Sequence, residues 1–430
     1  MENLNDVFKE VDGLDNDKIM EIMKTLINID TKVPPASTYR EYIDAISPYF
    51  KDLGYTLEEI TLPEEVIKKI PYPIEGPRIN LVATKDYGQD KFVSFYGHMD
   101  VVPAPNDGEK KWRFPPFEAT LIKSGKIYGR GTSDMKGAMA CMILALQIIE
   151  KLNLTPKYNI RVMNCTDEEI GGEPGVKYLA EQGYVKGTVF CMEGITSAFI
   201  IVGAAGALNV IVESIGRSCH SGMNFMGINA LEESVPIMVE LMELKKKVEV
   251  RESKDIPGLP GLGSSEKRNM TPMFNLDVIR SGDKANIVPN ICTLTINRRF
   301  IPDENIDDVM KEISEAIERG KEKSKLLDVK TTFIYDYPPL RVDPNAPDVK
   351  RMKKVISKIQ EIPEEKIMMF GMSGSTDMGN VCEILDTQDI IIHGCGNAGS
   401  NSHGVNETIR MKDVKLFTKE LITFLCADLD

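Results

Sequence analysis

The sequence lacks several features that mark particular classes of protein. Its eight cysteines include no CxxC pair and several lie inside apolar runs, so we expect free thiols in a reducing compartment rather than a disulfide framework. No apolar run approaches the ~20 residues that a membrane-spanning helix needs, and the charged N-terminus has no apolar signal-peptide core. These absences predict a cytoplasmic protein that does not span a membrane.

An excess of basic residues is also missing. The chain carries 52 Lys and Arg against 65 Asp and Glu, a formal charge of −13. A nucleic-acid surface requires a basic face, so this balance argues against a nucleic-acid partner. At 430 residues, with 42% hydrophobic and 27% charged residues, the chain should form one large or two smaller globular domains.

Strands and helices alternate through the first half of the chain. Residues 16–53 have helical character, interrupted by a proline-containing loop, and "AMACMILALQIIEKL" predicts a helix that is buried nearly all round. The predicted strands that follow one another here are apolar on both faces: "INLVATK", "KFVSFYG", "YNIRVMNC" and "GTVFCME". Such strands favour an α/β fold with a mostly parallel sheet covered by helices.

From about Gly206 the pattern changes to β-α-β-β-α-β, the order of a ferredoxin-like α+β module. This pattern ends near residue 336, and the proline-rich "YDYPPLRVDPNAP" then leads back to a helix and the strand "DIIIHG". We therefore expect an insertion. Residues 1–205 and 337–430 would form one domain, and residues 206–336 a second.

Five side chains able to bind a metal are scattered along the predicted first domain. They are His98 in "FYGHMDVVP", Asp134 in "GRGTSDMKG", Glu169 in "TDEEIGG", Glu193 in "CMEG" and His403 in "SNSHGVNE". All but His403 are predicted to lie at or just after the C-terminal end of a parallel strand, the edge where open α/β sheets bind ligands. Two histidines and three carboxylates can hold two zinc-like ions around one shared carboxylate.

Some of these residues have other interpretations. Asp134, taken alone, is better explained as a helix N-cap, a role that does not exclude metal binding. His393 competes with His403 as a ligand, but its apolar context "IIIHG" favours a buried structural histidine. Asp100 shares the face of His98 and would orient its ring. Glu168, beside a ligating carboxylate, would remain available as a general base.

Together these motifs resemble the two-zinc family of aminoacylases, acetylornithine deacetylase, succinyl-diaminopimelate desuccinylase and glutamate carboxypeptidase. The ligand candidates follow the family's order, with spacings of 36, 35, 24 and 210 residues. The resemblance implies that His98 and Glu193 bind one ion, that Glu169 and His403 bind the other, and that Asp134 bridges both. It also implies a general base at Glu168 and a cis peptide after Asp134. The ions would be Zn²⁺, with Co²⁺ or Mn²⁺ as alternatives.

The resemblance extends into the predicted insert, which would be a lid and dimerisation domain. His220, in "GRSCHSGMNFMGINA", matches a histidine that stabilises the oxyanion in a neighbouring subunit, which implies a homodimer. Asn286 and Arg299, in "ANIVPNICTLTINRRF", match a segment that holds the substrate carboxylate. Arg298 stands next to Arg299, and strand alternation lets only one of the two face the cleft.

A further match lies outside the insert. Ser375 and Thr376, in "GMSGSTDMG", match a glycine-rich loop that lines the substrate pocket in the family.

These residues predict a metal-dependent amidohydrolase that cleaves N-acyl amino acids, a small-molecule substrate with a free carboxylate. A metallo-dipeptidase or carboxypeptidase on the same scaffold is the alternative, and Glu rather than Asp at position 193 favours the deacylase and carboxypeptidase side. A non-catalytic metal- or peptide-binding protein would have lost a ligand or the base. Glu168 and all five ligand candidates are present.

Overall fold

The computed structural model describes residues 4–105, 111–171, 173–259 and 269–429. The chain divides into two compact units. The first comprises Met1–Ile201, Val342–Met369 and Asn380–Asp430, and the second comprises Val202–Arg341 and Phe370–Gly379. The second unit contains the predicted insert and also takes in residues 202–205, 337–341 and 370–379, which the sequence assigned to the first domain.

The helices of the described residues are α1 Leu4–Asp12, α2 Asn16–Ile27, α3 Tyr39–Lys51, α4 Glu64–Ile67, α5 Lys136–Lys151, α6 Tyr178–Glu181, α7 Ala230–Val248, α8 Ile306–Glu322, α9 Pro347–Gln360, α10 Met378–Leu385 and α11 Met411–Cys426. The strands are β1 Thr56–Thr61, β2 Ile79–Lys85, β3 Phe92–His98, β4 Thr120–Leu121, β5 Lys126–Tyr128, β6 Asn159–Cys165, β7 Thr188–Cys191, β8 Phe199–Ala204, β9 Gly206–Ile215, β10 Cys219–His220, β11 Met273–Ser281, β12 Ile287–Val288, β13 Ile291–Phe300, β14 Asp328–Tyr337, β15 Leu340–Arg341, β16 Met368–Met372, β17 Ile390–Ile392 and β18 Thr408–Arg410. Among the described helices, none is long and apolar enough to cross a membrane.

The first unit is built on a six-stranded sheet in the order β1-β2-β6-β3-β7-β17. Strands β6, β3, β7 and β17 are parallel, while β2 pairs antiparallel with β6 and β1 pairs antiparallel with β2. Every residue of β6 and β7 is buried, including the polar Asn159, Arg161 and Asn164 of β6. The predicted α/β fold is confirmed, and the carboxyl ends of β3, β6 and β7 meet at one edge.

The segment before Asp134 differs from the prediction. It follows β5, which belongs to a small separate sheet in the order β18-β5-β4, not to the parallel sheet. The interpretation of Asp134 as a helix N-cap is also wrong. Helix α5 begins at Lys136, Met135 occupies the cap position, and no side-chain hydrogen bond caps the helix. The carboxylate of Asp134 is therefore not used to start the helix.

The second unit has a four-stranded antiparallel sheet in the order β11-β13-β9-β14, with α7 and α8 packed on one face. This is the strand order of a ferredoxin-like module. Burial alternates along β13, so that Ile296 enters the core while Asn297 and Arg299 lie on the opposite, open face. That alternation decides which polar side chains can meet a ligand.

Candidate active site

Asp134 lies between two histidines. His98 ends β3 and is buried, and its Nε2 is 3.2 Å from Oδ1 of Asp134. His403 follows β17, and its Nε2 is 3.1 Å from the other oxygen, Oδ2. Each oxygen of one carboxylate thus faces a different imidazole nitrogen. A carboxylate shared by two cations offers one oxygen to each, and this arrangement fits that role.

Two more carboxylates flank this centre, one on each side. Oε1 of Glu193 is 3.7 Å from Nε2 of His98, and Oε2 of Glu169 is 3.0 Å from Nε2 of His403. This arrangement pairs each histidine with the carboxylate that the family resemblance assigns to it. Oε2 of Glu168 lies 3.9 Å from Nε2 of His98, and its side chain is 18% exposed, so solvent can reach it.

Asp100 supports the site in two ways. The ring Nδ1 of His98 is 3.0 Å from the backbone oxygen of Asp100 and 3.6 Å from its Oδ1. A neutral ring that donates from Nδ1 presents its Nε2 lone pair to the centre. The carboxylate of Asp100 also accepts the backbone N–H groups of Glu168, at 3.2 Å, and Glu169, at 2.9 Å. One residue therefore orients both a ligand candidate and the acidic turn.

The first acid of "TDEEIGG" has a structural role that sequence reasoning missed. Asp167 has a left-handed backbone, with φ 59°, and its side chain is fully buried. One carboxylate oxygen lies 3.0 Å from Nε of Arg78, and the other accepts the Tyr39 hydroxyl at 2.8 Å. Only the second and third acids of the motif face the histidines. A run of acidic residues in a sequence does not show which of them will be buried and which will face the histidines.

A second missed element is the buried pair of Glu407 and Arg130, joined at 2.7 Å. Nη2 of Arg130 also donates to the backbone oxygen of His403 at 3.1 Å. The Glu407 carboxylate accepts three backbone N–H groups of the loop before α5, at 2.8 to 3.1 Å: those of Gly131, Ser133 and Asp134. The pair therefore ties the Asp134 loop to the His403 loop.

The electrostatics of the centre favour a cation. Hydrogen bonds to Asp134 and Glu169 raise the pKa of His403 to about 10. Burial opposes a charge on His98, but its hydrogen bonds to Asp100 and Asp134 raise its pKa well above the usual value. Burial raises the pKa of the Glu169 carboxyl. The carboxylates around the two imidazoles therefore favour positive charge at this centre.

The donor set fits divalent metal ions. It combines two imidazoles with carboxylates, the nitrogen and oxygen ligands that zinc-like ions accept. Among the groups of possible ligands whose atoms lie within 4.8 Å of one another, one joins His98 with Glu168 and Glu169, and another joins Asp134 with Glu169 and His403. The buried Oε1 of Glu169 has no hydrogen-bond partner among the described residues, which leaves it available to a cation.

The second unit separates the two neighbouring arginines. Arg298 is fully buried and paired with Glu304, at 2.6 Å, and Glu312, at 3.6 Å. Arg299 lies on the open face, has no carboxylate partner in the described part of the chain, and donates from Nη1 to Oγ of Ser375 at 2.7 Å. Of the two, Arg299 retains a charge that is available to a ligand.

The other predicted residues of this unit have well-defined contacts. His220 is exposed, and its Nδ1 accepts the N–H of Gly222 at 3.1 Å, so a neutral ring carries its proton on Nε2. The neighbouring Ser221 N–H donates to the Asn286 backbone oxygen at 3.0 Å, which places Asn286 beside this histidine segment. Thr376 is buried, and its hydroxyl accepts the N–H of Met378 at 3.3 Å at the start of α10.

His393, the competing ligand candidate, lies away from these groups. It is buried in the first unit, with Nε2 2.9 Å from Oε2 of Glu420. Its interpretation as a structural histidine is confirmed.

The first unit has a mainly parallel α/β sheet, with imidazoles and carboxylates gathered near its carboxyl edge. This combination is typical of metal-dependent hydrolases. The family described as Peptidase family M20/M25/M40 matches residues 94–426, and the chain belongs to this family. It is accordingly a hydrolase that acts on C–N amide bonds.

Curated relatives cover most of the chain. A probable succinyl-diaminopimelate desuccinylase of Staphylococcus aureus is 27% identical over 398 residues, 88% of this chain and 92% of the relative. The N-formyl-4-amino-5-aminomethyl-2-methylpyrimidine deformylase of Bacillus subtilis is 26% identical over 435 residues, 95% of this chain and 94% of the relative. The relatives share an amide-hydrolase type and differ in the acyl group.

Solved structures share the fold. An M20 family metallo-carboxypeptidase from Sulfolobus solfataricus superposes with a TM-score of 0.73 at 20% identity, covering 96% of this chain and 98% of that chain. A dinuclear metal-binding M20 peptidase of Bacillus subtilis has a TM-score of 0.63 at 11% identity, covering 95% of this chain and 98% of that chain. The predicted fold class, an α/β domain with an inserted ferredoxin-like module, is therefore confirmed.

Proposed function

We propose that this protein is a two-metal amidohydrolase that removes the acyl group from N-acyl amino acids. The observation that carries the proposal is the position of Asp134, whose two oxygens each face one histidine, with Glu168 beside them. The desuccinylase and deformylase relatives support an acyl group as the part removed. The substrate would be a small molecule with a free carboxylate.

The proposed ligands divide as the contacts pair them. His98 and Glu193 would hold one ion, Glu169 and His403 the other, and Asp134 both. Zn²⁺ suits this set of donors, and Co²⁺ or Mn²⁺ would also fit. Two such ions polarise an amide carbonyl and lower the pKa of an attacking water.

Glu168 is the proposed general base. Its neighbour Glu169 contacts His403, while Glu168 lies beside His98 and is partly exposed, so it can take a proton from water and give it to the leaving amine nitrogen. Asp100 holds the backbone of both glutamates and so maintains their division of roles. His220, protonated on Nε2, can donate a hydrogen bond to the oxyanion.

Arg299 is the proposed anchor of the substrate carboxylate, because its charge has no carboxylate partner in the described residues. Asn286, Ser375 and Thr376 are the other substrate-binding residues predicted from the resemblance. The same anchor would suit the C-terminal carboxylate of a peptide, so a dipeptidase or carboxypeptidase is the second candidate function.

A substrate panel distinguishes these functions. The zinc-loaded protein is incubated with N-acetyl, N-succinyl and N-formyl amino acids and with dipeptides, and amine release is measured by mass spectrometry. We expect release from one acyl class. Release from dipeptides alone would overturn the deacylase proposal in favour of the peptidase.

The variant Glu168→Ala tests the base. We expect bound metal to remain, because the ligand set is intact, and turnover to fall by at least roughly 10²-fold, the lower range for general-base catalysis. Metal content by elemental analysis is the control. Unchanged turnover with full metal content would remove Glu168 from the mechanism.

A further inference from the structure

A line of hydrogen bonds crosses the open face of the sheet in the second unit. Nδ2 of Asn209, on β9, donates to Oδ2 of Asp336 at 2.5 Å. Oδ1 of Asn209 accepts Nδ2 of Asn297, on β13, at 2.9 Å. Oδ1 of Asn297 in turn accepts Nε of Arg299 at 3.1 Å. Two amides thus connect an acid on β14 to the arginine at the far end.

The chemistry of the two ends determines how both amides are turned. A carboxylate only accepts hydrogen bonds, so Asp336 requires the NH₂ group of Asn209. The carbonyl of Asn209 then faces Asn297 and requires the NH₂ group of that residue. The carbonyl of Asn297 then faces Arg299. This orientation fits because a guanidinium can only donate hydrogen bonds. Every donor in the line meets an acceptor, and no alternative assignment of the amides satisfies both ends.

Ser375 holds the guanidinium from a second side. Its Oγ accepts from Nη1 of Arg299 at 2.7 Å and donates to the backbone oxygen of Ala205 at 2.7 Å. The single donor of the hydroxyl is used on Ala205 and one of its acceptor lone pairs on Arg299, so Ser375 links the guanidinium to the backbone. Nη2 of Arg299 makes no hydrogen bond to any described residue.

We propose that Asn297 and Ser375 are positioning residues that aim the Arg299 guanidinium at a substrate carboxylate, and that the relay from Asp336 through Asn209 and Asn297 holds it without neutralising it. A direct ion pair would orient the arginine equally well, as Glu304 does for Arg298. A substrate carboxylate would then have to displace that acid. Two neutral amides orient the arginine and leave its charge to the ligand. This inference rests on the proposed role of Arg299 as the carboxylate anchor.

Asn297→Asp gives a sharp test, because it adds a negative charge at the side chain that accepts the hydrogen bond of Arg299 Nε. Asn275→Asp is the matched control. Asn275 is the register partner of Asn297 on β11, but its Oδ1 accepts Nζ of Lys245 at 3.2 Å, so the new charge would join the existing ion pair of Lys245 and Glu249. Both variants add the same charge on neighbouring strands.

A first measurement needs no substrate. The Nε–H of Arg299, assigned through Arg299→Lys, is followed by ¹⁵N-correlated NMR in the full-length protein. We expect slow exchange with water in the native protein and in Asn275→Ala, and at least tenfold faster exchange in Asn297→Ala. Unchanged exchange in Asn297→Ala, with the fold retained by thermal unfolding, would overturn the relay.

A second measurement uses the most rapidly cleaved N-acyl amino acid of the panel. We expect Asn297→Asp to raise KM at least tenfold with kcat within about threefold, and Asn275→Asp to leave both within twofold. An unchanged KM in Asn297→Asp would overturn the positioning role. If no N-acyl amino acid is cleaved, the proposed function fails by itself, while the exchange measurement still decides whether the relay exists.

Discussion

Glu407 touches no ligand atom of the proposed centre, yet two of the loops that form the centre depend on it. Its carboxylate accepts three N–H groups of the Asp134 loop, and its partner Arg130 binds the His403 backbone. We expect Glu407→Gln to leave Arg130 as a buried charge without a full countercharge. The free energy of unfolding should fall by about 3 kcal/mol, and the zinc affinity should fall roughly 10- to 100-fold.

The measurements are thermal unfolding without metal and zinc titration of the folded protein. Glu420→Gln is the control, since Glu420 is equally buried and contacts His393 rather than the site. It should lower the unfolding temperature and leave zinc affinity unchanged. Equal zinc affinities for both variants would show that Glu407 serves stability alone.

The residues proposed to bind the metal ions were easier to predict than the residues that hold them in place. His98 and Glu169 lie in short motifs whose residue types are unusual for a strand end, so they could be selected from the sequence. Glu407 and Asn297 are ordinary residues locally. Their roles depend on partners 277 and 88 positions away, Arg130 and Asn209, and no local pattern encodes such a pairing.

At the scale of elements, the start of α5 sets the position of Asp134. Gly137 lies in the first turn, and a Cβ there would stand 1.9 Å from the backbone oxygen of Thr132. That oxygen belongs to the loop that carries Asp134, so Gly137→Ala must push helix and loop apart. We expect the free energy of unfolding to fall by roughly 1–3 kcal/mol, as at other overpacked sites, and the zinc occupancy to be lower.

Unfolding temperature and metal content check this prediction. Gln147→Ala, three turns further along α5, is the comparison, and it should retain full zinc occupancy because it lies far from the loop. Full occupancy in Gly137→Ala would show that the loop adapts independently of the helix.

The helices and strands could be predicted well from the hydrophobic periodicity of the sequence. The sheets into which the strands pair could be predicted less well. The buried α5 and the β-α-β-β-α-β order of the second unit were both predicted, because each has a long apolar pattern. The two- and three-residue strands β4, β5 and β18 have too few residues for any period, so the small sheet before Asp134 was missed. The helix predicted at "GVKYLAEQG" is shorter, Tyr178–Glu181, preceded by a wider turn.

At the scale of the whole molecule, the homodimer predicted from the resemblance has a surface that would suit it. Exposed apolar side chains follow one face of α7 at helical spacing: Leu231, Val235, Val239 and Met242. Val239 is 54% exposed, and such a contiguous stripe is typical of a face that another molecule covers. We expect Val239→Asp to yield a monomer by light scattering, while Ser314→Asp on α8 stays dimeric.

The dimer prediction leads to one about catalysis, because the resemblance assigns His220 to the neighbouring subunit's site. Glu168→Ala and His220→Ala should each be nearly inactive as pure proteins. In a mixed dimer, the His220→Ala chain keeps its own Glu168 and would receive an intact His220 from its partner. Random reassortment of equal amounts should restore about a quarter of native activity, since half the dimers are mixed and each has one complete site.

If His220 acts within its own chain, no mixed dimer contains a complete site. Activity that stays at the level of the separate variants, with subunit exchange shown by a mass-labelled chain, would therefore place His220 in the site of its own subunit.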